Sequence, residues 1–373
     1  MNRKRLVLLG IILIVFTQTF LVWANDTGQE SVDLVILHIN DTHGRLLPYE
    51  TKDGESVGGI ARQSTLIKKV REENKERVLV LHAGDIFSRG DVLTVYYGGE
   101  VNLKVMEAIG YDAFTPGNGE FYFGVENLLE QTGKINFPAL LANVSYRKNS
   151  ELVFVSYIIK EIAGVKVAIL GLCFIRENHP SAWSLILKSS VTIAKEYLPL
   201  LREKADLVIA LTHIGLTRDK KLAAEVPEFD IIIGGHSHNK IEPPLRIQRP
   251  DGKGETVIVQ AGDYEKFLGR LDVKMQKSED KTRYKIAKVE GHLIPVNDKT
   301  NEDEEISLIL RKYSKELNKV LCTWEKPLAN PDSGESPMGS LVANILRVET
   351  DADVALLDRG AVQSGMKTGE ITI

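Results

Sequence analysis

The sequence has few cysteines and no excess of positive charge, and both absences limit what the protein can be. Its 373 residues include only two cysteines, Cys173 and Cys322, which argues against a disulfide framework. Because the two lie far apart and in very different contexts, we expect no bridge between them. The formal net charge of −4 supplies no basic field, so a long nucleic acid is not expected as a partner.

Internal repeats and low-complexity tracts are also absent, which argues against a solenoid or a disordered protein. A chain of this length can bury a large core and can contain more than one domain. The hydrophobic content of 43% is ordinary for a globular protein, so composition does not select a function and the motifs must do so.

The N-terminus combines a basic segment with an apolar one. Residues 2–5 read Asn-Arg-Lys-Arg, residues 6–23 are mostly apolar, and Ala24 precedes a polar stretch. This order predicts a signal peptide over residues 1–24 and an exported protein that is periplasmic, on the cell surface or secreted. The alternative is an uncleaved N-terminal anchor, because the apolar run is nearly long enough to span a membrane. No cysteine lies near the junction, which argues against a lipid anchor.

Short apolar runs alternate with helical patterns over residues 30–295. The helical patterns cover residues 61–74 and 101–109, and β-rich segments follow at 256–262 and 267–275. Near-continuous apolar runs suit strands that are covered on both faces. The alternation predicts a layered α/β domain. The clearest strand candidates are residues 35–39, 78–82, 207–211 and 230–234.

The C-terminal part of the sequence predicts a connector and the beginning of a second α/β domain. An acidic run at 301–305 precedes a helical pattern, which predicts a connector helix within residues 296–325. Residues 330–373 contain a helix capped by Ser336 and a strand at 354–357, too few elements to bury a full core alone. The connector helix has its apolar side chains at Ile306, Ile309, Tyr313, Leu317 and Val320.

Side chains of the kind that bind metal ions follow the predicted strands at the point where each strand ends. Ligands of open α/β sheets bind at this carboxyl edge. Any one of these residues alone is more often a turn former, a cap or a loop histidine, and only their recurrence predicts a shared site with two ions. His38 and His82 lie inside strands and are interpreted as core or supporting groups. The seven predicted metal ligands are Asp41, His43, Asp85, Asn118, His213, His236 and His238.

The chemistry of these ligands indicates the metals and the reaction. Carboxylate, imidazole and amide groups together suit Zn, Mn, Fe or Co better than Ca or Mg alone. Asp85 could bridge two divalent metal ions with one oxygen to each. Two ions roughly 4 Å apart can clamp a phosphoryl oxygen and generate hydroxide from a bridging water, which is the chemistry of phosphate-ester hydrolysis.

These motifs resemble those of the calcineurin-like metallophosphoesterases, and most closely the exported 5'-nucleotidase branch with its UDP-sugar hydrolases and cyclic phosphodiesterases. The resemblance extends from about Val35 to Val273 and continues through the connector into the opening of the 5'-nucleotidase C-terminal domain. It implies a sandwich of the α/β/β/α type and a nucleotide or other small phosphate ester as substrate. The segments that carry it are LHINDTHGRL, AGD, GN, LTHIG and GGHSH.

The resemblance also implies how the ligands divide between the two ions. One ion would be held by Asp41, His43, Asp85 and His238. The other would be held by Asp85, Asn118, His213 and His236.

Two departures from the family leave the activity open. The family has a His–Asp dyad that assists the leaving group, and here Gly119 and Tyr122 occupy the dyad positions. A positioned imidazole contributes roughly 10²–10⁴-fold to a rate. The family's phosphate-binding arginine is not in place around Arg359, so substrate contacts are not assigned. A weakened or inactive metal-binding relative is therefore the alternative to an active phosphoesterase, although all seven ligand positions persist.

Overall fold

The structure is a computed structural model that describes residues 30–252, 254–280, 282–331, 333–362 and 364–372. The predicted signal peptide, residues 1–24, lies outside these described residues. Within them, none of the helices has both the length and the apolar content that crossing a membrane would require.

The described part of the chain alternates strands and helices, as the apolar pattern predicts. The strands are β1 (Ser31–Ile39), β2 (Tyr49–Glu50), β3 (Ser56–Val57), β4 (Val78–His82), β5 (Ala113–Phe114), β6 (Val144–Tyr146), β7 (Tyr157–Ile162), β8 (Val165–Cys173), β9 (Leu185–Leu187), β10 (Leu207–His213), β11 (Ile231–Ile233), β12 (Leu245–Gln248), β13 (Glu255–Val259), β14 (Phe267–Lys277), β15 (Tyr284–Pro295), β16 (Val320–Trp324) and β17 (Gly369–Thr372). The α-helices are α1 (Ile60–Asn74), α2 (Val92–Tyr96), α3 (Glu100–Ile109), α4 (Val125–Thr132), α5 (Ser190–Lys204), α6 (Leu216–Glu225), α7 (Glu304–Leu317) and α8 (Pro337–Glu349).

Two sheets form the centre of the fold. The first has the strand order β15-β14-β1-β4-β5, in which β1, β4 and β5 run parallel and β14 and β15 are antiparallel additions. The second has the order β12-β13-β11-β10-β8-β7, with four parallel strands between two antiparallel edge strands. Parallel strands end at one edge of each sheet, so the loops after β1, β4, β10 and β11 emerge at those edges.

The two sheets pack face to face, and helices cover their outer faces. Leu34 and Ile36 of β1 meet Ile169 of β8 and Ile209 of β10 in the apolar layer between the sheets. Helices α1, α3, α4 and α7 cover the first sheet, and α5 and α6 cover the second. Strands buried on both faces need apolar side chains at successive positions, which is why their runs are near-continuous. The α/β/β/α architecture expected from the sequence is confirmed.

Helix α7 packs onto the first layer of helices. Its N-cap residue Asp303 accepts a hydrogen bond from the Glu305 backbone N–H (3.0 Å) and another from the Ser64 hydroxyl (2.6 Å) of α1. Ile306 and Leu310 are buried in the same core as α1. The expectation that Val320 also faces inward is wrong. The helix ends before Val320, which lies in β16 with 45% of its surface exposed.

The elements after α7 form a small, open arrangement. Helix α8 begins as predicted, since the Ser336 hydroxyl accepts a hydrogen bond from the Gly339 backbone N–H (2.8 Å), but none of its residues is buried. The strand expected at 354–357 is wrong, because this segment forms no ladder and Leu356 is 94% exposed. An apolar run forms a strand only where another strand offers its backbone groups, and here β16 pairs with β17 instead.

The two cysteines are both free, in agreement with the sequence. Cys173 is buried at the end of β8, whereas Cys322 is exposed in β16. Burial raises the pKa of the Cys173 thiol well above its usual value, which keeps this group protonated and unreactive.

The packing of α7 predicts how much it contributes to stability. Leu310 is 5% exposed, and Leu310→Ala should lower the free energy of unfolding by about 2–4 kcal/mol because it leaves a cavity against α1. Leu308, on the same helix, is 62% exposed, so Leu308→Ala should change the free energy of unfolding by less than about 0.5 kcal/mol. Urea unfolding followed by circular dichroism measures both values. Equal effects of the two substitutions would show that α7 is not part of this core.

Candidate metal centre

The loops that follow β1 and β4 lie side by side and bring the first acidic ligands together. The Asp41 backbone N–H donates to the Gly84 carbonyl (2.9 Å), and the His43 backbone N–H donates to the Asp85 carbonyl (2.8 Å). These bonds extend the parallel pairing of β1 and β4 beyond the ends of the strands. They place Asp41, His43 and Asp85 in one small region of the sheet edge.

Several predicted ligands have backbone conformations that side chains rarely adopt. Left-handed backbone costs non-glycine residues energy and concentrates at functional sites, where the surrounding structure enforces it. This loop geometry therefore favours function over simple connection. Five of the seven predicted ligands have φ between 50° and 78°: Asp41, His43, Asp85, His236 and His238.

The second sheet contributes the other histidines. His213 is the last residue of β10 and is fully buried, while His236 and His238 lie on the loop after β11. The His236 backbone N–H donates to the Asp41 carboxylate (2.8 Å), and His213 Nδ1 lies 2.6 Å from the Ala83 carbonyl oxygen. Hydrogen bonds thus join the ligand loops of the two sheets directly.

The structure gathers five of the predicted ligands into two overlapping groups. Asp41, His43 and His238 form one group, and Asp41, Asp85 and His213 form the other; within each group the ligand atoms lie within 4.8 Å of one another. Asp41 is the residue that belongs to both groups, whereas the sequence predicts that Asp85 bridges the two ions. Asp85, a member of the second group, also approaches the first, with Oδ1 3.3 Å from His213 Nε2 and Oδ2 3.7 Å from His43 Nδ1.

The remaining two predicted ligands border these groups. The His236 ring lies 5.2 Å from the His213 ring between centroids. Asn118 precedes Gly119, whose backbone N–H donates to Asp85 Oδ1 (2.6 Å). All seven predicted positions therefore converge on the same edge of the sandwich.

Unsatisfied buried atoms test whether these residues fit metal ions. His213 Nε2 and Asn118 Oδ1 are buried and have no hydrogen-bond partner among the described residues. The hydrogen bond from His213 Nδ1–H to Ala83 leaves Nε2 as the nitrogen that presents a lone pair once the ring is neutral. The bond from Asn118 Nδ2 to Tyr122 leaves the Asn118 Oδ1 as a free acceptor. Such orphaned acceptors are costly unless a cation satisfies them. The donor set therefore fits divalent ions.

Two imidazole nitrogens approach each other closely at the first group. His43 Nε2 and His238 Nε2 are 2.8 Å apart. This is the distance of a hydrogen bond, and the carboxylates of Asp263 and Asp41 raise the pKa of His238 to about 9, so a proton lies between the two nitrogens. A divalent ion would replace this proton and take both nitrogens as ligands.

Groups behind the histidines fix the orientation of their rings. His43 Nδ1 lies 2.8 Å from the Ser88 hydroxyl, and His238 Nδ1 lies 3.4 Å from the Asp263 carboxylate. Histidines that bind metals usually donate their second nitrogen to such partners, which sets the tautomer. Neither Ser88 nor Asp263 was identified from the sequence, because each is far along the chain from the histidine that it orients, so the sequence gives no local signal of the contact.

Charged neighbours counteract the effect of burial on the pKa values of His213 and Asp85. Burial disfavours a charged His213, but the carboxylates of Asp85 and Asp41 raise its pKa to about 10. Nε2 therefore carries a proton that faces Asp85 Oδ1 at 3.3 Å, and a divalent ion bound there would displace this proton. Burial likewise opposes an ionised Asp85, yet the nearby His213 holds the pKa of Asp85 below its usual value. The pKa of His236 falls to about 4, mainly through burial, so this ring is neutral near pH 7. The site thus combines ionised carboxylates with at least one neutral imidazole.

Glu120 is a buried acid that the sequence analysis did not identify. Its carboxylate accepts hydrogen bonds from the backbone N–H groups of Asp85 (2.9 Å), Ile86 (2.5 Å), Phe87 (3.0 Å) and Gly117 (2.5 Å). Burial and the neighbouring Asp85 charge raise the pKa of Glu120 to about 7. Glu120 therefore holds together the loops that present Asp85 and Asn118. The available signal was an acid directly after Gly119 in an otherwise apolar stretch.

Packing explains why position 119 is glycine. Its backbone, with φ −65°, would suit any residue. A Cβ atom there would lie 2.4 Å from Ser88 Cβ and 2.8 Å from Asp85 Oδ1, both far inside contact distance. A histidine at position 119 could not be accommodated unless Ser88 and the Asp85 loop moved.

Tyr122 and His179 lie together beside Asn118. The Tyr122 hydroxyl accepts a hydrogen bond from Asn118 Nδ2 (3.0 Å), and its ring centroid is 4.8 Å from that of His179. The sequence offered no context for His179, which comes close only because residues 120–123 and 180–182 fold into adjacent short turns. A phenol and an imidazole therefore border the centre where the resemblance predicts a missing dyad.

His38 and His82 lie inside the fold. A Cβ on Gly269 would collide with the His38 ring at 2.1 Å, and His82 Nδ1 accepts from the Gly84 backbone N–H (3.1 Å). Burial lowers the pKa of both histidines to about 3, which keeps them neutral. His82 supports the Asp85 loop, and His38 fills the core.

Comparison with known proteins shows what this chain is similar to. The profile of the family described as calcineurin-like phosphoesterase matches residues 34–240, which include all seven predicted ligands. The 5'-nucleotidase of Vibrio vulnificus (strain CMCP6) is 30% identical, over 95% of this chain and 72% of that protein. The trifunctional nucleotide phosphoesterase protein of Bacillus subtilis (strain 168) is 28% identical, over 91% of this chain and 25% of that protein.

A solved structure has the same fold. The 5'-nucleotidase precursor from Thermus thermophilus superposes with a TM-score of 0.67 at 24% identity. The alignment covers 91% of this chain and 72% of that one.

The contacts of Glu120 predict the effect of neutralising it. Glu120→Gln replaces one acceptor oxygen by an NH2 group, so two backbone N–H groups lose their partner and the Asp85 loop loosens. The affinity for Mn²⁺, measured by calorimetry on the folded protein, should fall roughly 10–100-fold. Glu126→Gln, on the exposed face of α4, should leave it unchanged. Unchanged affinity in Glu120→Gln would remove Glu120 from the positioning of the centre.

Proposed function

The chain belongs to the calcineurin-like phosphoesterases, a family of metal-dependent phosphoester hydrolases, and on that premise we propose that it hydrolyses nucleotides or related small phosphate esters at a centre of two divalent ions. The observation that carries the proposal is a pair of buried polar atoms, His213 Nε2 and Asn118 Oδ1, that have no hydrogen-bond partner among the described residues and lie beside two clusters of ligand groups. The similarity to a 5'-nucleotidase supports a nucleotide as substrate.

We assign the ligands as the resemblance implies. One ion, of Zn, Mn, Fe or Co, would be held by Asp41, His43, Asp85 and His238. The other would be held by Asp85, Asn118, His213 and His236. The position of Asp85 between His43 and His213 supports its role as the bridge, and the spacing of the first cluster supports the first set.

The chain's own residues prepare the centre for this chemistry. When bound, the two ions would polarise the phosphoryl oxygens and lower the pKa of water for in-line attack. The hydrogen bond from His213 Nδ1–H to the Ala83 carbonyl leaves Nε2 as the nitrogen that can bind an ion once it has released its proton. The loop held by Glu120 fixes the Asp85 carboxylate before any ligand arrives, which reduces the reorganisation that binding requires.

The centre has less to assist a leaving group than the family pattern provides. Gly119 places no imidazole there, and the adjoining Tyr122 hydroxyl is engaged by Asn118. This supports the second candidate function, a metal-binding relative with little or no turnover. The retention of every predicted ligand position favours activity on esters whose leaving groups need little assistance.

We propose the same domain organisation that the sequence predicts. Residues 30–295 form the phosphoesterase domain, 296–325 the connector and 330–373 a partial 5'-nucleotidase C-terminal domain. Residues 1–24 act as a signal peptide, so the protein acts outside the cytoplasm, with an uncleaved anchor as the alternative. The burial of α7 against α1 supports close attachment of the connector to the phosphoesterase domain.

A comparison of two substrates tests the proposed function. The Mn²⁺-loaded protein should hydrolyse an aryl phosphate with a kcat/KM at least about tenfold above that for AMP, because a good leaving group needs no positioned acid. Chelation of the metal should abolish both activities. Asp85→Ala should lose bound metal and activity together, and Asp298→Ala, at an exposed position, should lose neither.

The results separate the alternatives. Metal binding without hydrolysis of either ester would support the inactive relative. Equal or faster turnover of AMP would contradict the leaving-group argument and would indicate that another residue, such as His179, replaces the dyad.

A further inference from the structure

A cavity of about 330 Å³ adjoins the metal centre on the side of the second sheet. Its volume is that of a pocket for a small organic ligand. The walls combine apolar side chains with positive ones, a composition that suits an organic anion. The apolar side chains are Phe174, Val191 and Ile214, and the positive ones are Lys188, Arg218 and Lys221.

Phe174 separates this cavity from the predicted ligands. Its backbone N–H donates to the His213 carbonyl (3.0 Å), and its ring lies 5.5 Å from the His236 ring between centroids. The guanidinium of Arg218 lies over the same Phe174 ring, 4.5 Å from its centroid. A group in the cavity would therefore be next to a phosphate bound at the centre.

Two of the three positive side chains of the cavity have no acidic partner among the described residues. Neither Arg218 nor Lys188 forms an ion pair with a carboxylate in the part of the chain that the structure describes. A larger cavity of about 710 Å³ differs in this respect, because its Arg202 and Arg249 both bind Asp230, at 2.8 and 3.0 Å. Unpaired cations that line a cavity provide an attractive field for an anion.

The third positive side chain, Lys221, forms only a weak ion pair. Lys221 lies 3.6 Å from Glu225 on the exposed face of α6. An exposed pair of this kind is weak, so Lys221 retains much of its attraction for an anion in the cavity.

We propose that this cavity binds a second anionic group, a phosphate or a carboxylate, of a substrate whose scissile phosphate lies at the metal centre. The proposal rests on the proposed function and narrows its substrate class to esters with two anionic groups. Arg218 would contact the second anion directly, while its contact with Phe174 keeps the guanidinium at the boundary between the two sites. The apolar side chains of Val191 and Ile214 would face the organic body that connects the two groups.

Binding of non-hydrolysable phosphonates tests the subsite without turnover. The probes are 4-carboxybenzylphosphonate, 1,4-phenylenebis(methylphosphonate) and 4-carbamoylbenzylphosphonate, together with the same set lengthened by two methylene groups. The carbamoyl compound is called the neutral probe because its second group is uncharged, although it keeps the phosphonate. Calorimetry on the Mn²⁺-loaded protein should show the doubly anionic probes binding roughly three- to tenfold more tightly than the neutral one, since the cations are exposed. A comparison of the carboxylate probe with the bisphosphonate probe shows which second anion the cavity prefers.

Three variants locate the effect. Arg218→Gln should abolish the preference for the doubly anionic probes while leaving the affinity for the neutral one nearly unchanged. Arg218→Lys should keep part of the preference because it retains the charge. Lys220→Gln removes a neighbouring positive charge outside the cavity and serves as the matched control, so it should change nothing.

The outcomes are separable from those for the proposed function. A preference that Arg218→Gln removes supports the subsite even if no ester is turned over, and in that case only the hydrolytic function fails. Equal affinity of wild-type protein for the charged and neutral probes at both lengths overturns the subsite. So does a loss in Arg218→Gln that affects all probes alike, which would indicate a structural role.

Discussion

The carboxylate of Asp41 joins the carboxyl edges of the two sheets, and the metal centre depends on this contact. Asp41 extends β1 of the first sheet, yet it accepts a hydrogen bond from the His236 backbone N–H after β11 of the second. The apolar layer between the sheets can align the two edges only approximately, because hydrophobic packing is not directional. The hydrogen bonds of Asp41 and His213 supply the direction, so side chains from both sheets reach one site.

The arrangement of the predicted ligands lowers the stability of the fold when no ion is bound. Such destabilisation is typical of functional sites. Three features oppose folding in the absence of ions: left-handed backbone at five predicted ligands, two buried polar atoms without a hydrogen-bond partner among the described residues, and adjacent carboxylates. The three apolar layers and Glu120, which satisfies four backbone N–H groups, offset that cost. Since ions would satisfy the orphaned atoms in the folded state alone, their binding should also stabilise the fold.

The sequence predicted the layers and the ligand positions because both follow from local patterns. Near-continuous apolar runs identify doubly covered strands, and ligand-type residues directly after them must lie at a sheet edge. The roles of Glu120 and Ser88 could not be predicted, since they depend on which loops become neighbours in space. Val320 and the segment 354–357 were misassigned for the same reason, because apolar character does not reveal whether a partner surface exists.

The central claim is a centre of two ions between the two ligand clusters. Anomalous diffraction from crystals grown with Mn²⁺ tests it most directly, because it locates each ion independently of activity. The account predicts two peaks roughly 4 Å apart, with the Asp85 carboxylate between them. A single peak, or peaks away from Asp41, Asp85 and His213, would contradict it.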